Sequence, residues 1–284
     1  MKTVGKLLVL TLAVVATPVL AGMLRCPPDS VKVGPTCVDK YEASVWQIAP
    51  SNTALVQKVQ AGTATLADLT GGAATQLSPS SSCSPVYPAN FPNDGNWTPV
   101  LGSSPPSPGV YAVSISGVHP SACVTWFQAN QACLLAGKRL LTNHEWQGAA
   151  AGTPDPGTDT GTSDCNISAA GDAVNTGSRS NCKSSWGVFD MVGNVTEWVA
   201  DWADRSVNCT DWTSQTGIAG GDFSCFGGPG TTGNAGETGN FNSIPGALIR
   251  GGSFRYGANA GVFAVRADGI PSDSSLLLGF RCAR

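Results

Sequence analysis

Histidine is nearly missing from this chain: His119 and His144 are the only two among 284 residues. The ten cysteines include no Cys-x-x-Cys pair. These absences leave a Cys/His zinc site with little support. Both histidines read as structural, one in a loop and one at a helix start. Charged side chains make up only 12% of the residues, which argues against a disordered polyelectrolyte. A formal net charge of −3 argues against nucleic acid as a partner. No paired carboxylates and no Ser, His and Asp set share a recognisable spacing, so hydrolase chemistry has no support.

What is present begins with the compartment. Lys2 and Lys6 precede a short apolar run from Leu7 to Val15, and Val19-x-Ala21 supplies a small-residue cleavage site. Residues 1–21 therefore read as a secretory signal peptide, cut after Ala21. The run is short for a membrane anchor, so no transmembrane segment is expected in the mature chain. A lipoprotein reading would put Cys26 at the mature terminus, but Met23-Leu24-Arg25 is a poor lipobox. Ten cysteines in an exported chain fit disulfides better than metal. The local pairs are Cys26 with Cys37, Cys165 with Cys182, and Cys209 with Cys225. Each closes a loop of roughly 10–20 residues, worth about 2–3 kcal/mol by chain entropy. Cys83, Cys123, Cys133 and Cys282 stay unpaired at this level.

Residues 37–46 alternate apolar and polar and predict a strand. From about 48 to 118 the composition turns to Ser, Thr, Ala, Pro and Gly, and reads as a surface insertion with some local structure. Thr125 to Gly137 predicts a helix, with Trp126, Ala129, Cys133 and Leu134 on one face. Thr142-Asn-His-Glu145 matches a capping box and starts a second helix that runs to Ala151. Residues 186–198 form an apolar, hairpin-like segment. Trp126, Trp146, Trp198 and Trp202 are expected in the core.

The last thirty-five residues differ in kind. Arg250-Gly251-Gly252-Ser253-Phe254 opens them and Gly279-Phe280-Arg281-Cys282 closes them. Residues 255–278 between these borders follow neither a 2-residue nor a 3.6-residue period. A segment with fixed borders and aperiodic contents suits recognition better than core packing.

Four ordered blocks resemble the formylglycine-generating enzyme (sulfatase-modifying factor) family. They are residues 126–146, Asp190 to Trp202, Arg250 to Phe254, and Gly279 to Cys282, with Tyr41-Glu42 fitting as well. The resemblance covers about 37–47 and 119–284. It implies an α+β, C-type lectin-like fold: two helices around a small twisted antiparallel sheet, with much loop. It makes residues 22–284 a single domain. It also implies a disulfide from Cys133, on the first helix, to Cys282 on the last strand. Enzymes of the family bind copper through two cysteines shortly after the Arg-Gly-Gly-Ser-Phe block. Here those positions hold Tyr256 and Gly261, which supply no thiolate. Ser253 matches a substrate-site serine, but it stands without the pair, so the chain is not expected to be an enzyme.

The chain also resembles one branch of that family, the variable proteins of diversity-generating retroelements. Mutagenesis there randomises the first two positions of AAC and AAT codons, which can never yield Lys, Glu, Gln, Met or Trp. Residues 255–278 contain none of these five. The stretch 259–264, Pro271 and the closing Gly-Phe-Arg-Cys resemble constant parts of such regions. On this likeness the ligand contacts are Arg255, Tyr256, Asn259, Arg266, Asp268, Ile270, Asp273, Ser275 and Leu277. The ligand is a macromolecule, protein or glycan, at a cell surface, and the chain is secreted, periplasmic or surface-held. Asn194 and Glu197 are candidate calcium ligands, because their oxygens suit that ion and family members carry calcium near this block. The plainer reading is a turn Asn and a buried, hydrogen-bonded Glu. The rival function is a formylglycine-generating-type enzyme or accessory that works without the copper pair.

Overall fold

The computed structural model describes residues 25–89, 91, 93, 109–204, 210–211, 223–225 and 245–284. The expected signal peptide and the Cys209–Cys225 pairing lie outside the described residues. Thirteen strands and four α-helices follow in chain order among the described residues. The first strands are β1 (Ser30–Val33), β2 (Thr36–Asp39) and β3 (Ser44–Ile48). Next come α1 (Thr53–Gln60), α2 (Leu66–Gly71), β4 (Thr75–Leu77) and β5 (Gly109–Val113). Helix α3 (Trp126–Leu135), β6 (Arg139–Leu140) and α4 (Asn143–Ala150) form the middle. The rest is β7 (Thr196–Asp204), β8 (Thr210–Asp211), β9 (Phe223–Cys225), β10 (Pro245–Arg250), β11 (Val265–Arg266), β12 (Leu278–Phe280) and β13 (Cys282–Ala283).

The strands form three sheets: β1-β2-β13-β6, β12-β7-β10-β11-β9-β8, and β4-β3-β5. Pairing is antiparallel except between β12 and β7 and between β11 and β9. The first and last strands of the described chain thus share one sheet. The α+β class is as expected, with four helices among the described residues where the sequence suggested two.

Local chemistry explains the helix starts. Thr125 and Gln128 form a reciprocal capping box at α3, and Thr142 and Glu145 form another at α4. Gly137 follows α3 at φ +68°, a left-handed turn that costs glycine little. Leu134, expected on the buried face of α3, is 42% exposed. The stretch read as a surface insertion contributes more than loop. Its Leu55, Val59 and Leu69 bury a core with Trp46, Ile48 and Val113. The strand predicted over 37–46 is interrupted between β2 and β3, in a stretch that holds the fully buried Glu42. The hairpin expected over 186–198 is instead a loop that feeds β7.

Four disulfides hold the described residues: Cys26–Cys37, Cys83–Cys123, Cys133–Cys282 and Cys165–Cys182. Disulfides persist in oxidising compartments, which places this chain outside a reducing cytosol. No helix among the described residues is long and apolar enough to cross a membrane.

Candidate functional site

The two borders of the C-terminal segment are rigid for steric reasons. Gly252 sits at φ +76°, and a Cβ there would lie 2.5 Å from Ala260 Cα. At Gly279 a Cβ would meet Ser121 O at 2.9 Å and Val195 at 2.8 Å. Phe254, Phe280, Arg281 and Cys282 are buried. Ser253 is fully buried too, and its Oγ accepts from Arg255 N at 3.3 Å.

Between these borders the segment splits by exposure. Arg255, Asn259, Asp273 and Ser275 are exposed, and Tyr256, Arg266, Asp268, Ile270 and Leu277 are half-buried. None of the nine predicted contact residues is buried. Ala260, Gly261, Ala264, Val265, Ala267 and Pro271, which lie among them, are all buried. The buried set anchors the backbone: Gly261 N donates to Gly251 O at 3.1 Å, and Trp126 N donates to Pro271 O at 3.0 Å.

Three of the nine form one network. Arg266 Nη2 pairs with Asp268 Oδ2 at 2.6 Å, and Arg266 Nη1 donates to the Tyr256 hydroxyl. Burial opposes the Arg266 charge, but Asp268 and Tyr256 outweigh it and hold the pKa above its ordinary value. Asn259 ends a 3-10 turn, Gly257–Asn259, and shares a small pocket with Tyr256, Arg266, Arg250 and Thr196. Arg255 lies over the Phe254 ring at 5.3 Å. Ile270 and Asp273 close a separate turn, where Asp273 Oδ2 accepts from Ile270 N at 2.9 Å. Ser275 Oγ accepts from Leu277 N at 3.0 Å, and the Leu277 side chain packs on Ala173, Val195 and Phe254. Leu277 is therefore the most scaffold-like of the nine.

The calcium candidates behave differently from the expectation. Arg281 donates to both oxygens of Glu197 at 2.8–2.9 Å through Nε, and Trp146 Nε1 donates to Oε2 at 2.7 Å. A guanidinium thus sits where a cation would. Asn194 Oδ1 accepts from Val174 N at 2.8 Å and from Asn166 Nδ2 at 3.2 Å. Calcium needs six to eight oxygen ligands. These two residues have their oxygens committed and do not fit the ion. They follow the plainer reading, a turn Asn at φ +54° and a buried, bonded Glu.

Around that pair lies a buried polar centre that sequence reasoning missed. Glu42 accepts from Asn194 Nδ2 at 2.5 Å and from Val195 N at 3.0 Å. Asp190 accepts from Gly177 N at 2.7 Å. Burial pushes the Asp190 carboxyl up to about 7 and lifts Glu42 well above the carboxylate range. Nearby, Lys138 Nζ lies 2.6 Å from Asp29 and 2.7 Å from Asp39. Asp39 is completely buried and rises to about 6. Asp29 is also lifted by burial, but Lys138 and Arg284 together overcome this and hold it below its ordinary value. Arg281, set between Phe280 and Cys282, and Lys138, just after an apolar helix, were the available signals: charges inside apolar runs are seldom idle.

The aromatic expectation needs one correction. Trp146 and Trp198 are core residues, but Trp126 is half-buried and Trp202 is 42% exposed. Trp126, Phe127 and Trp202 pack edge-on with centroids 5.0–5.9 Å apart. Trp202 lies at the outer end of β7, beyond the reach of the core that covers Trp198.

Residues 25–284 match the Sulfatase-modifying factor enzyme 1-like domain. A protein of Thermomonospora curvata named formylglycine-generating enzyme is 28% identical over 281 residues, covering 90% of this chain and 84% of that one. A namesake from Streptomyces coelicolor is 33% identical over 187 residues, covering 58% of this chain and 52% of its own. Among solved structures, the Major Tropism Determinant U1 Variant overlaps 90% of this chain at 17% identity and a TM-score of 0.43. This chain spans about half of that one, 52%. PvdO from Pseudomonas aeruginosa overlaps 88% of this chain and 80% of its own, at 20% identity and a TM-score of 0.39.

Proposed function

From the premise that this chain belongs to the sulfatase-modifying factor enzyme 1-like family, we propose that it is an exported ligand-binding protein. Its C-terminal segment displays a diversified contact surface, as in the variable proteins of diversity-generating retroelements. One observation carries this reading: every predicted contact residue from Arg255 to Leu277 reaches solvent, while the residues that fix their backbone are buried. A surface so arranged can change its side chains without changing its core. Tyr and Arg supply the anchors that interfaces favour, and Tyr256, Arg255 and Arg266 are placed to do so. The ligand is a protein or glycan at a cell surface.

The nucleotide sequence around the gene tests this directly. A nearby repeat that differs from codons 255–278 only at adenines, beside a reverse transcriptase, supports the proposal. Diversity that is not adenine-directed removes it.

The second reading is an enzyme or accessory of the formylglycine-generating type. The named relatives favour it. Against it stand Tyr256 and Gly261 at the copper-cysteine positions and a buried Ser253. Tyr256 is committed to Arg266, and Gly261 has no side chain. Purified protein given copper and a cysteine-containing sulfatase peptide should leave that peptide unchanged in mass. Copper-dependent conversion of its cysteine to formylglycine would establish the enzyme reading instead.

A further inference from the structure

A groove of about 340 Å³ opens between the Lys40–Tyr41 turn, the Gly62–Leu66 connection of α1 and α2, and the Ser114–Ser116 segment after β5. None of its lining residues belongs to 255–278. The walls are tied together by hydrogen bonds. Tyr41 N donates to Ser114 Oγ at 3.1 Å, and that hydroxyl donates to Asp29 O at 3.0 Å. Asp29 N in turn donates to Gly62 O at 3.2 Å. Gly62 sits at φ +67°, and a Cβ there would lie 2.4 Å from Asp29 Oδ1. The α1–α2 connection is thus pressed against the groove floor, and the concavity is built into the fold.

Its chemistry is specific. Asp29 is answered by Lys138 and Arg284, and Asp39 by Lys138. Lys40 lines the groove and has no carboxylate partner among the described residues. The groove therefore offers a free positive charge in a chain whose net charge is −3. The Tyr41 and Ser116 hydroxyls likewise have no protein hydrogen-bond partner among the described residues. Tyr41 is held in place by its ring, which stacks on Phe189 at 5.3 Å. Leu66 and Ile115 add apolar surface to this lining. Small-ligand sites combine a concavity of a few hundred Å³, some apolar wall and a few convergent polar groups.

We propose that this groove binds the acidic end residue of a glycan. Lys40 and Tyr41 donate to its carboxylate, Ser116 meets a ring hydroxyl, and Leu66 and Ile115 cover its apolar face. The size suits a single sugar ring. The site is separate from residues 255–278 and stands or falls apart from the function proposed above.

The probe is methyl glucuronide, compared with methyl glucoside, which carries an uncharged hydroxymethyl group in place of the carboxylate. Both are titrated into the isotope-labelled protein and followed by NMR. Binding should shift the amides of Lys40, Tyr41, Gly62 to Leu66 and Ser116. The glucuronide should bind about tenfold tighter or more, the value expected of a charge-assisted hydrogen bond. Lys40→Met keeps the aliphatic stem and should remove that advantage. Tyr41→Phe keeps the stack on Phe189 and should weaken binding a few-fold, with thermal melting unchanged. Equal affinity for the two sugars, shifts confined to other surfaces, or a Lys40→Met protein that still prefers the glucuronide would each overturn the proposal.

Discussion

Replacing Arg255, Tyr256, Arg266, Asp268, Asp273 and Ser275 together by Ala separates display from packing. Arg255 is exposed and should cost within about 0.5 kcal/mol. The Arg266–Asp268 pair has side chains 29% and 25% exposed, so solvent screens it and its worth is about 0.5–1 kcal/mol. Tyr256 is half-buried against the Cys165–Cys182 cluster and should cost about 1 kcal/mol. Asp273 and Ser275 each lose one hydrogen bond to backbone, about 0.5–1 kcal/mol apiece. Tyr256, Arg266 and Asp268 contact one another, so their losses are not independent and the total falls below the sum. A loss of about 2–3 kcal/mol follows for six substitutions. The single change Trp198→Ala should cost about 3–5 kcal/mol, because that ring is fully enclosed and its Nε1 donates to Val124 O at 2.9 Å. In a domain of this size each kcal/mol moves Tm by about 2–4 °C. The sextuple variant should therefore melt about 5–10 °C below the parent and Trp198→Ala at least as far below. Binding should invert the order. Each lost Tyr or Arg anchor removes about 2 kcal/mol, enough together to abolish a micromolar interaction. The assay is calorimetric melting beside adhesion to any cell surface that retains the parent protein. If the sextuple variant unfolds while Trp198→Ala stays folded, residues 255–278 are core and the display reasoning fails.

Three further outcomes follow from the buried charges and the staple. Asp190, Glu42 and Asp39 are raised above their unfolded values, so the folded chain keeps protons that the unfolded chain releases near pH 4. That stability is fully present below about pH 4 and is lost as pH rises through about 6 and 7; chemical denaturation should show a more stable protein at pH 5 than at pH 8, and Asp190→Asn should flatten the slope near 7. A stability that rises over that interval contradicts the assignment. Arg281→Met should destabilise by about 3–5 kcal/mol, because Glu197 would be left buried without its cation, whereas Arg281→Met with Glu197→Gln should recover part of the loss; urea titration of both variants decides it. Opening the Cys133–Cys282 bridge by a Ser pair should cost about 4–5 kcal/mol, since it closes a loop of 149 residues; peptide mapping of unreduced protein should first find these two cysteines linked.

The sequence by itself determined whatever rests on neighbours three or four residues apart, or on the type of residue. Thr142 and Glu145 cap α4 within one turn, and Cys165 and Cys182 close a short loop, so both could be read from spacing. The borders at Arg250 to Phe254 and Gly279 to Cys282 were legible because their glycines and buried aromatics leave little latitude. The nine exposed or half-buried positions were named through the likeness to the variable proteins, within a segment that lacks any core period. Only the tertiary structure decided where the charges go. Lys138 meets Asp39 across 99 residues, and Glu42 meets Asn194 across 152. No local pattern encodes such a meeting, because it depends on which strands the sheets bring side by side. The same holds for Glu197, which a single block of sequence offered as a metal ligand. Its partner Arg281 lies 84 residues away, and the parallel pairing of β12 with β7 brings that guanidinium onto the carboxylate. In the low-dielectric interior an ionised carboxylate must be answered by a cation or take up a proton. The fold answered Glu197 with Arg281, whereas burial lifts the Asp190 carboxyl to about 7.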